Sequence, residues 1–234
     1  MSGSESEKRL LLFGASRGLG LAIAEEYLKL GWSVVATARQ AAATALHKLA
    51  ERAEGRLEVE TVDIAEPEQV AALHRRLLGR RFDFLLVNAG VTNDPRQTVA
   101  EVATEEFVRV LVTNALSPLR VIETFQDLVA PAGSIGVMSS GLGSVANNVS
   151  GGFEVYRGSK AALNTLMRSY AARHRDDTRT LLLLAPGWVR TDMGGPAATL
   201  SVEESIPNLV RTIQAHEGRG GLHYLDYLGR TVPW

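Results

Sequence analysis

Leu10-Leu11-Leu12-Phe13-Gly14-Ala15-Ser16-Arg17-Gly18-Leu19-Gly20 is the stretch that decides the fold. An apolar run halted by a glycine reads as a short strand buried on both faces. Residues 19–30 then carry Leu19, Ile23, Tyr27 and Leu30 at helical spacing, and Gly31 closes the run. Glycines between strand and helix let the backbone turn tightly and approach a pyrophosphate, which would rest on the positive end of the helix. Their spacing is GxxxGxG rather than GxGxxG, so a plain packing turn stays an alternative.

The same alternation runs along the rest of the chain. Residues 33–38, 57–62, 84–87, 134–138, 181–185 and 222–225 read as strands; 41–53, 66–78, 104–129, 153–174 and 203–215 read as helices. A Gly/Ser/Asn-rich loop covers 139–152, and a polar one covers 92–97. Apolar strands alternating with helices predict the α/β class: a doubly wound, parallel sheet of about seven strands with helices on both faces. No linker, repeat or low-complexity break divides residues 1–234, which read as one domain, with 1–8 as a flexible tail. In such sheets ligands bind beyond the carboxyl ends of the strands.

Composition removes several classes of function. The 234 residues are 45% hydrophobic and 22% charged, a globular profile. A formal net charge of -1 and a pI near 6.5 give no electrostatic reason to expect nucleic acid or an anionic membrane as partner. With no cysteine there is no disulfide, thiolate zinc site or Cys nucleophile. The polar, acidic start is unlike a signal peptide, and no apolar run is long enough to span a bilayer, so the cytoplasm is the expected location. The five histidines lack metal-ligand spacing, so no metal is expected. Ser140 has no GxSxG elbow around it, which argues against a serine hydrolase.

Tyr156-Arg157-Gly158-Ser159-Lys160 sets a phenol and an amine four residues apart, on one face of a helix. An ammonium there would favour the phenolate and lower the Tyr156 pKa from about 10. The same spacing also arises on amphipathic helices with no such role. The second strand ends at Arg39, where an acidic residue would accept the ribose hydroxyls of NAD. Arg39 and Arg17 could instead flank a 2′-phosphate, which predicts NADP(H) over NAD(H); two solvated arginines are the alternative.

Taken together these motifs resemble the short-chain dehydrogenase/reductase family in its compact form, over essentially the whole chain. Gly14, Ser16, Arg17, Gly18, Leu19 and Gly20 match its glycine motif, and Asp63, followed by Ile64, matches its adenine-contacting Asp. Asn88, Ala89 and Gly90 match its NAG segment. Pro186, Gly187, Val189 and Thr191 match the segment whose Thr meets the nicotinamide end of the cofactor. Asn114, Ser140, Tyr156 and Lys160 match the catalytic set, with Gly143 three residues beyond the serine.

Met138 to Ser144, Tyr156-Arg157, residues 186–193 and the ending Pro233-Trp234 are most similar to the C-factor and sniffer-type carbonyl reductases. The resemblance implies an NADPH-dependent, single-domain Rossmann enzyme that reduces an aldehyde or ketone, with Tyr156 as proton donor. It also implies pairing into a homodimer or homotetramer through helices 104–129 and 153–174. C-factor relatives imply an alternative, a cofactor-binding developmental regulator with little or no turnover. Val91, Leu142, Val149, Trp188 and Met193 suit a partly apolar substrate. Two departures stand out: Phe13 replaces the family's Thr, and Val87 its first Asn, so packing is expected where the family has a hydrogen bond.

Overall fold

The structure, a computed structural model, describes residues 7–39 and 45–234. β1 (Arg9–Phe13), β2 (Ser33–Ala38), β3 (Leu57–Thr61), β4 (Phe82–Val87), β5 (Val129–Met138), β6 (Thr180–Ala185) and β7 (Gly221–Asp226) form one seven-stranded sheet. Its order is β3-β2-β1-β4-β5-β6-β7, with every pair parallel. Strand order reverses between β1 and β4, so a crevice opens at their carboxyl ends.

Successive residues of a strand face opposite sides of a sheet, and here both sides are buried. Leu10, Leu12, Val34, Leu86 and Leu182 join one core with α1 (Gly18–Lys29), α2 (Ala45–Arg52) and α7 (Val202–Gln214). Leu11, Phe13, Leu85, Val137 and Leu183 join the other with α3 (Pro67–Leu77), α5 (Ser117–Phe125) and α6 (Glu154–Arg173). That is why the strands read as unbroken apolar runs rather than alternating ones.

The largest departure from the sequence reading lies in the expected helix 104–129. It comprises α4 (Thr104–Leu111), a π-turn at Val112–Leu116, α5, and a 3₁₀ turn at Gln126–Leu128. Val129 already belongs to β5, paired with Phe82, and the register shifts before Phe84 meets Ser134. Phe125, Leu128 and Val129 satisfy helix and strand alike, so periodicity alone does not mark the change. The expected helix 41–53 is seen as α2, residues 41–44 lying outside the described residues. Of the expected tail, residues 1–6 lie outside them too. Lys8 is held, its Nζ donating to Glu217 at 2.7 Å and its carbonyl accepting from the Ser33 amide at 3.0 Å.

Phe13 and Val87 face each other across β1 and β4 in one core, both essentially inaccessible. The Phe13 ring also meets Phe125 edge-on, with centroids 5.1 Å apart. Packing therefore occupies the place where two polar side chains would otherwise have to satisfy each other. We predict that Phe13→Thr loses about 3 kcal/mol or more in urea unfolding, through the cavity and an unpaired hydroxyl. A Phe13→Thr chain as stable as the parent would show that this packing carries no weight.

Candidate active site

Six strands deliver the expected residues to one edge of the sheet. Gly14 follows β1, Arg39 β2, Asp63 β3, Asn88 β4, Ser140 β5 and Pro186 β6. Gly14 has φ of +86°, and a Cβ there would stand 2.6 Å from the Ala89 backbone. At Gly20 a Cβ would stand 2.1 Å from the Gly14 carbonyl oxygen, which accepts from Asn88 Nδ2 at 2.7 Å. The Gly14 amide donates to Thr37 Oγ1 at 3.0 Å. The turn is thereby locked to both neighbouring strands.

At Arg17 the first turn of α1 begins with no side-chain cap and no acidic residue. Its amides are thus left to an anion from outside. Arg17 pairs with Asp192 at 3.0 Å, both side chains well exposed, and Arg39 is exposed as well. Asp63 Oδ1 accepts from the Ala65 amide at 2.9 Å, and Ile64 is buried. Ser16 and Leu19 are half-buried in the same turn. Across the crevice, Gly18 faces Thr191, whose Oγ1 accepts from the Gly194 amide at 3.1 Å. Val189 is buried, and the Pro186 carbonyl accepts from Ser205 Oγ at 2.7 Å.

Asn114 sits in the π-turn, a wide turn that displaces backbone bonds from the α pattern. Its Oδ1 accepts from the Val91 amide at 2.8 Å, while Nδ2 donates to the Val91 carbonyl at 2.8 Å and to Ser159 Oγ at 3.0 Å. Ser159 Oγ in turn donates to the Tyr156 carbonyl at 2.7 Å. Asn114 thus ties the loop after β4 to the turn of α6 that carries the phenol. Lys160, buried, donates from Nζ to the Met138 carbonyl at 2.8 Å and lies 5.8 Å from the Tyr156 ring centroid. A Cβ at Gly90 would stand 3.3 Å from Asn114 Oδ1 and 3.6 Å from Lys160 Nζ, so these groups share one space.

Electrostatics here run against the sequence expectation. Burial pushes the Tyr156 hydroxyl up to about 12, with the neighbouring Ser140 side chain pulling the other way and Tyr224 adding to the rise. Lys160 is not among the groups that shift it. Burial holds Lys160 itself down at about 8. Desolvation disfavours whichever form is charged, and here it is the largest influence on both groups. The phenol is therefore firmly protonated near neutrality.

Three residues of the site escaped the sequence reading. Tyr224, on β7, donates its hydroxyl to the Ser140 carbonyl. Ser139 Oγ donates to Asn164 Oδ1 at 2.6 Å, and Asn164 Nδ2 donates to the Gly143 carbonyl at 3.1 Å. These contacts brace the Ser140–Gly143 turn from behind, where Ser140 Oγ accepts from the Leu142 amide at 3.1 Å. Buried polar residues at core-facing positions of a strand and a helix were the only available signal. Among the described residues no cluster of His, Asp and Glu could hold a metal.

The chain is similar to several known proteins. A family model described as Enoyl-(Acyl carrier protein) reductase matches residues 14–217. The C-signal of Myxococcus xanthus is 38% identical over 158 residues, 65% of this chain and 92% of that protein. A crystal structure from Burkholderia multivorans with bound NADP, provisionally titled a short-chain dehydrogenase/reductase, superposes with a TM-score of 0.96 at 58% identity, covering 97% of this chain and 100% of that one. A carbonyl reductase from Pseudomonas aeruginosa PAO1 in complex with NADP gives 0.91 at 40% identity, covering 98% and 100%.

The buried Lys160 has a measurable signature. Its folded-state pKa lies near 8, below the usual 10.5, so between those values the unfolded chain binds more protons and stability rises with pH. Tyr156 contributes the opposite slope only between about 10 and 12. Urea unfolding without nucleotide should gain about 1–2 kcal/mol from Lys160 between pH 8 and pH 9.5. A Lys160→Met chain should lose that component of the slope; an unchanged slope would contradict the burial argument.

Proposed function

The chain belongs to the short-chain dehydrogenase/reductase family, and on that premise we propose that it is an NADPH-dependent reductase of an aldehyde or ketone. The observation that carries the reading is the half-buried Tyr156 set beside Ser140 and the buried Lys160, one helical turn apart, with Gly90 of the loop after β4 against the same Lys160. The cradle fits a dinucleotide. Two glycines leave no room for side chains, α1 starts without a cap of its own, and Asn88 closes the turn. Gly14 to Gly20 with Asn88 to Gly90 would hold the pyrophosphate side, and Asp63 with Ile64 the adenine. Pro186, Gly187, Val189 and Thr191 would hold the nicotinamide end, with Lys160 on its ribose. Arg17 and Arg39 would flank a 2′-phosphate. Arg17 is free to do so, because an exposed pair such as Arg17–Asp192 is worth little and yields readily.

When bound, the nicotinamide supplies a hydride to the carbonyl carbon. Ser140 donates a hydrogen bond to the carbonyl oxygen, orienting it and stabilising the charge that develops there. Tyr156 gives its proton to that oxygen, completing the alcohol. A phenol with a pKa near 12 keeps its proton until an alkoxide-like oxygen, more basic still, takes it. Lys160, as the ammonium it still is near neutrality, favours the phenolate left behind, and a water at Asn114 resupplies the proton. Both Asn114 Nδ2 hydrogens are committed to Val91 and Ser159, so that water is held by an oxygen of Asn114. The apolar residues Val91, Leu142, Val149, Trp188 and Met193 suit a partly apolar substrate.

In our reading, residues 1–234 act as one cytoplasmic domain, and no helix among the described residues is long and apolar enough to cross a membrane. Phe107, Val108, Leu116 and Leu166 stand exposed on α4, the π-turn and α6. Beside them lies a hollow of about 380 Å³ lined by Ile64, Val70 and Leu119. We propose that a second copy covers this face, giving a homodimer or homotetramer. A second reading, a nucleotide-binding developmental signal, is favoured by the likeness to the C-signal alone; the intact Asn114, Ser140, Tyr156 and Lys160 set favours turnover.

NADPH consumption with a panel of aldehydes and ketones tests the reading, with NADH run in parallel. NADPH should be preferred in kcat/KM, and Tyr156→Phe should lower kcat by about 10²-fold or more while retaining nucleotide binding. Undiminished turnover would end the assignment. In sedimentation, Leu166→Glu should lower the assembly's mass; a parent chain that sediments as a monomer would refute the interface.

A further inference from the structure

Arg157 is a buried cation whose partners are all neutral. Its Nε donates to the Gly152 carbonyl at 2.9 Å, and its Nη2 to the Gly151 carbonyl at 3.2 Å and to Ser150 Oγ at 3.3 Å. Burying a guanidinium without a counter-charge is costly unless its hydrogen bonds are well met. Here those bonds converge on one short segment.

That segment is held in an uncommon backbone state. Gly151, Gly152 and Phe153 have φ of +65°, +69° and +53°. For a phenylalanine the left-handed region is strained, and such outliers persist where surrounding contacts over-determine them. Phe153 immediately precedes α6, whose first turn carries Tyr156. On the following residue, Glu154 Oε2 accepts from the Val99 amide at 2.7 Å, joining the loop after β4 to the same helix start. Two loops therefore converge on the turn of the phenol.

What they present is apolar. Val149 is 92% exposed, Val99 61% and Phe153 42%. Trp188 and Met193, beyond β6, are half exposed as well. Spending a buried cation to hold a segment that leaves Val149 and Phe153 in water is a poor way to gain stability. It is a good way to present a surface that a ligand covers.

We propose that Arg157 is a positioning residue that fixes residues 149–153, with exposed Val149 and Phe153, as an apolar wall of the substrate mouth, selecting carbonyl compounds with a bulky apolar substituent such as an aryl ring. The proposal rests on the carbonyl-reductase reading for its substrate and on geometry alone for the hold on the loop. Two measurements separate these. Chymotryptic cleavage after Phe153, followed by mass, should be at least 10-fold faster in Arg157→Met than in the parent chain, with Arg157→Lys between them; equal rates would overturn the hold. If Arg157→Met opens the whole chain to the protease, Arg157→Lys against the parent decides.

In turnover, the parent should prefer benzaldehyde to propionaldehyde in kcat/KM. Arg157→Lys should raise KM for benzaldehyde at least 5-fold, with kcat for propionaldehyde and affinity for NADPH within 2-fold of the parent. Equal losses on both aldehydes, or a parent that prefers propionaldehyde, would overturn the selection. A parent that reduces no carbonyl at all would refute the reductase reading and the substrate class together, and leave the cleavage rates to judge the hold.

Discussion

A Cβ at Gly20 would stand 2.1 Å from the Gly14 carbonyl oxygen, and much of the site's geometry follows from that closeness. α1 can approach the end of β1 only because neither position carries a side chain. The Gly14 oxygen, turned toward the crevice, is then satisfied by Asn88 from β4, while the Gly14 amide is satisfied by Thr37 from β2. Three adjacent strands are thus pinned to one turn at the point where strand order reverses. The uncapped start of α1 is aimed into the crevice as a result. Any side chain at Gly20 would push helix and strand apart and undo the cradle and the alignment of its walls together.

Behind the cradle, burial sets the chemistry of the site. Tyr156 and Lys160 are both shifted toward their neutral forms, one upward and one downward, by the same loss of water. A pocket that resists charge in its resting state amplifies charge–charge attraction once charge appears. The relevant attraction between amine and phenolate is therefore one that the resting pocket does not display.

Much of the fold was legible because both faces of the sheet are covered: strands buried on two sides announce themselves as apolar runs, with Gly14 and Pro186 marking where two of them stop and Gly31 where the first helix ends. The boundary at Val129 was not legible, because Phe125, Leu128 and Val129 suit a helix stripe as well as a strand, and only pairing with Phe82 decides. Nor was the π-turn, a backbone adjustment with no residue signature of its own. At the site, residues that fall in short chain motifs, such as Asn88, Ser140 and the Tyr156–Lys160 pair, were legible; Tyr224 and Asn164, which brace the Ser140 turn from distant elements, were not, since a lone buried polar residue on a strand or helix carries no spacing signal. The expected lowering of the Tyr156 pKa failed for a related reason: spacing reports proximity to Lys160, whereas the shift depends on how much water the fold removes.

The hydrogen bond from Tyr224 to the Ser140 carbonyl spans 84 residues of chain. Its donor lies on the edge strand β7, whose only neighbour in the sheet is β6. The cradle is assembled from residues 14–90 and is bonded within that span. During synthesis, therefore, the glycine turn and its Thr37 and Asn88 partners leave the ribosome well before the strand that braces the serine. Long-range closures of this kind form late. The turn that carries Ser140 is thus completed only once the strand at the far edge of the sheet has docked.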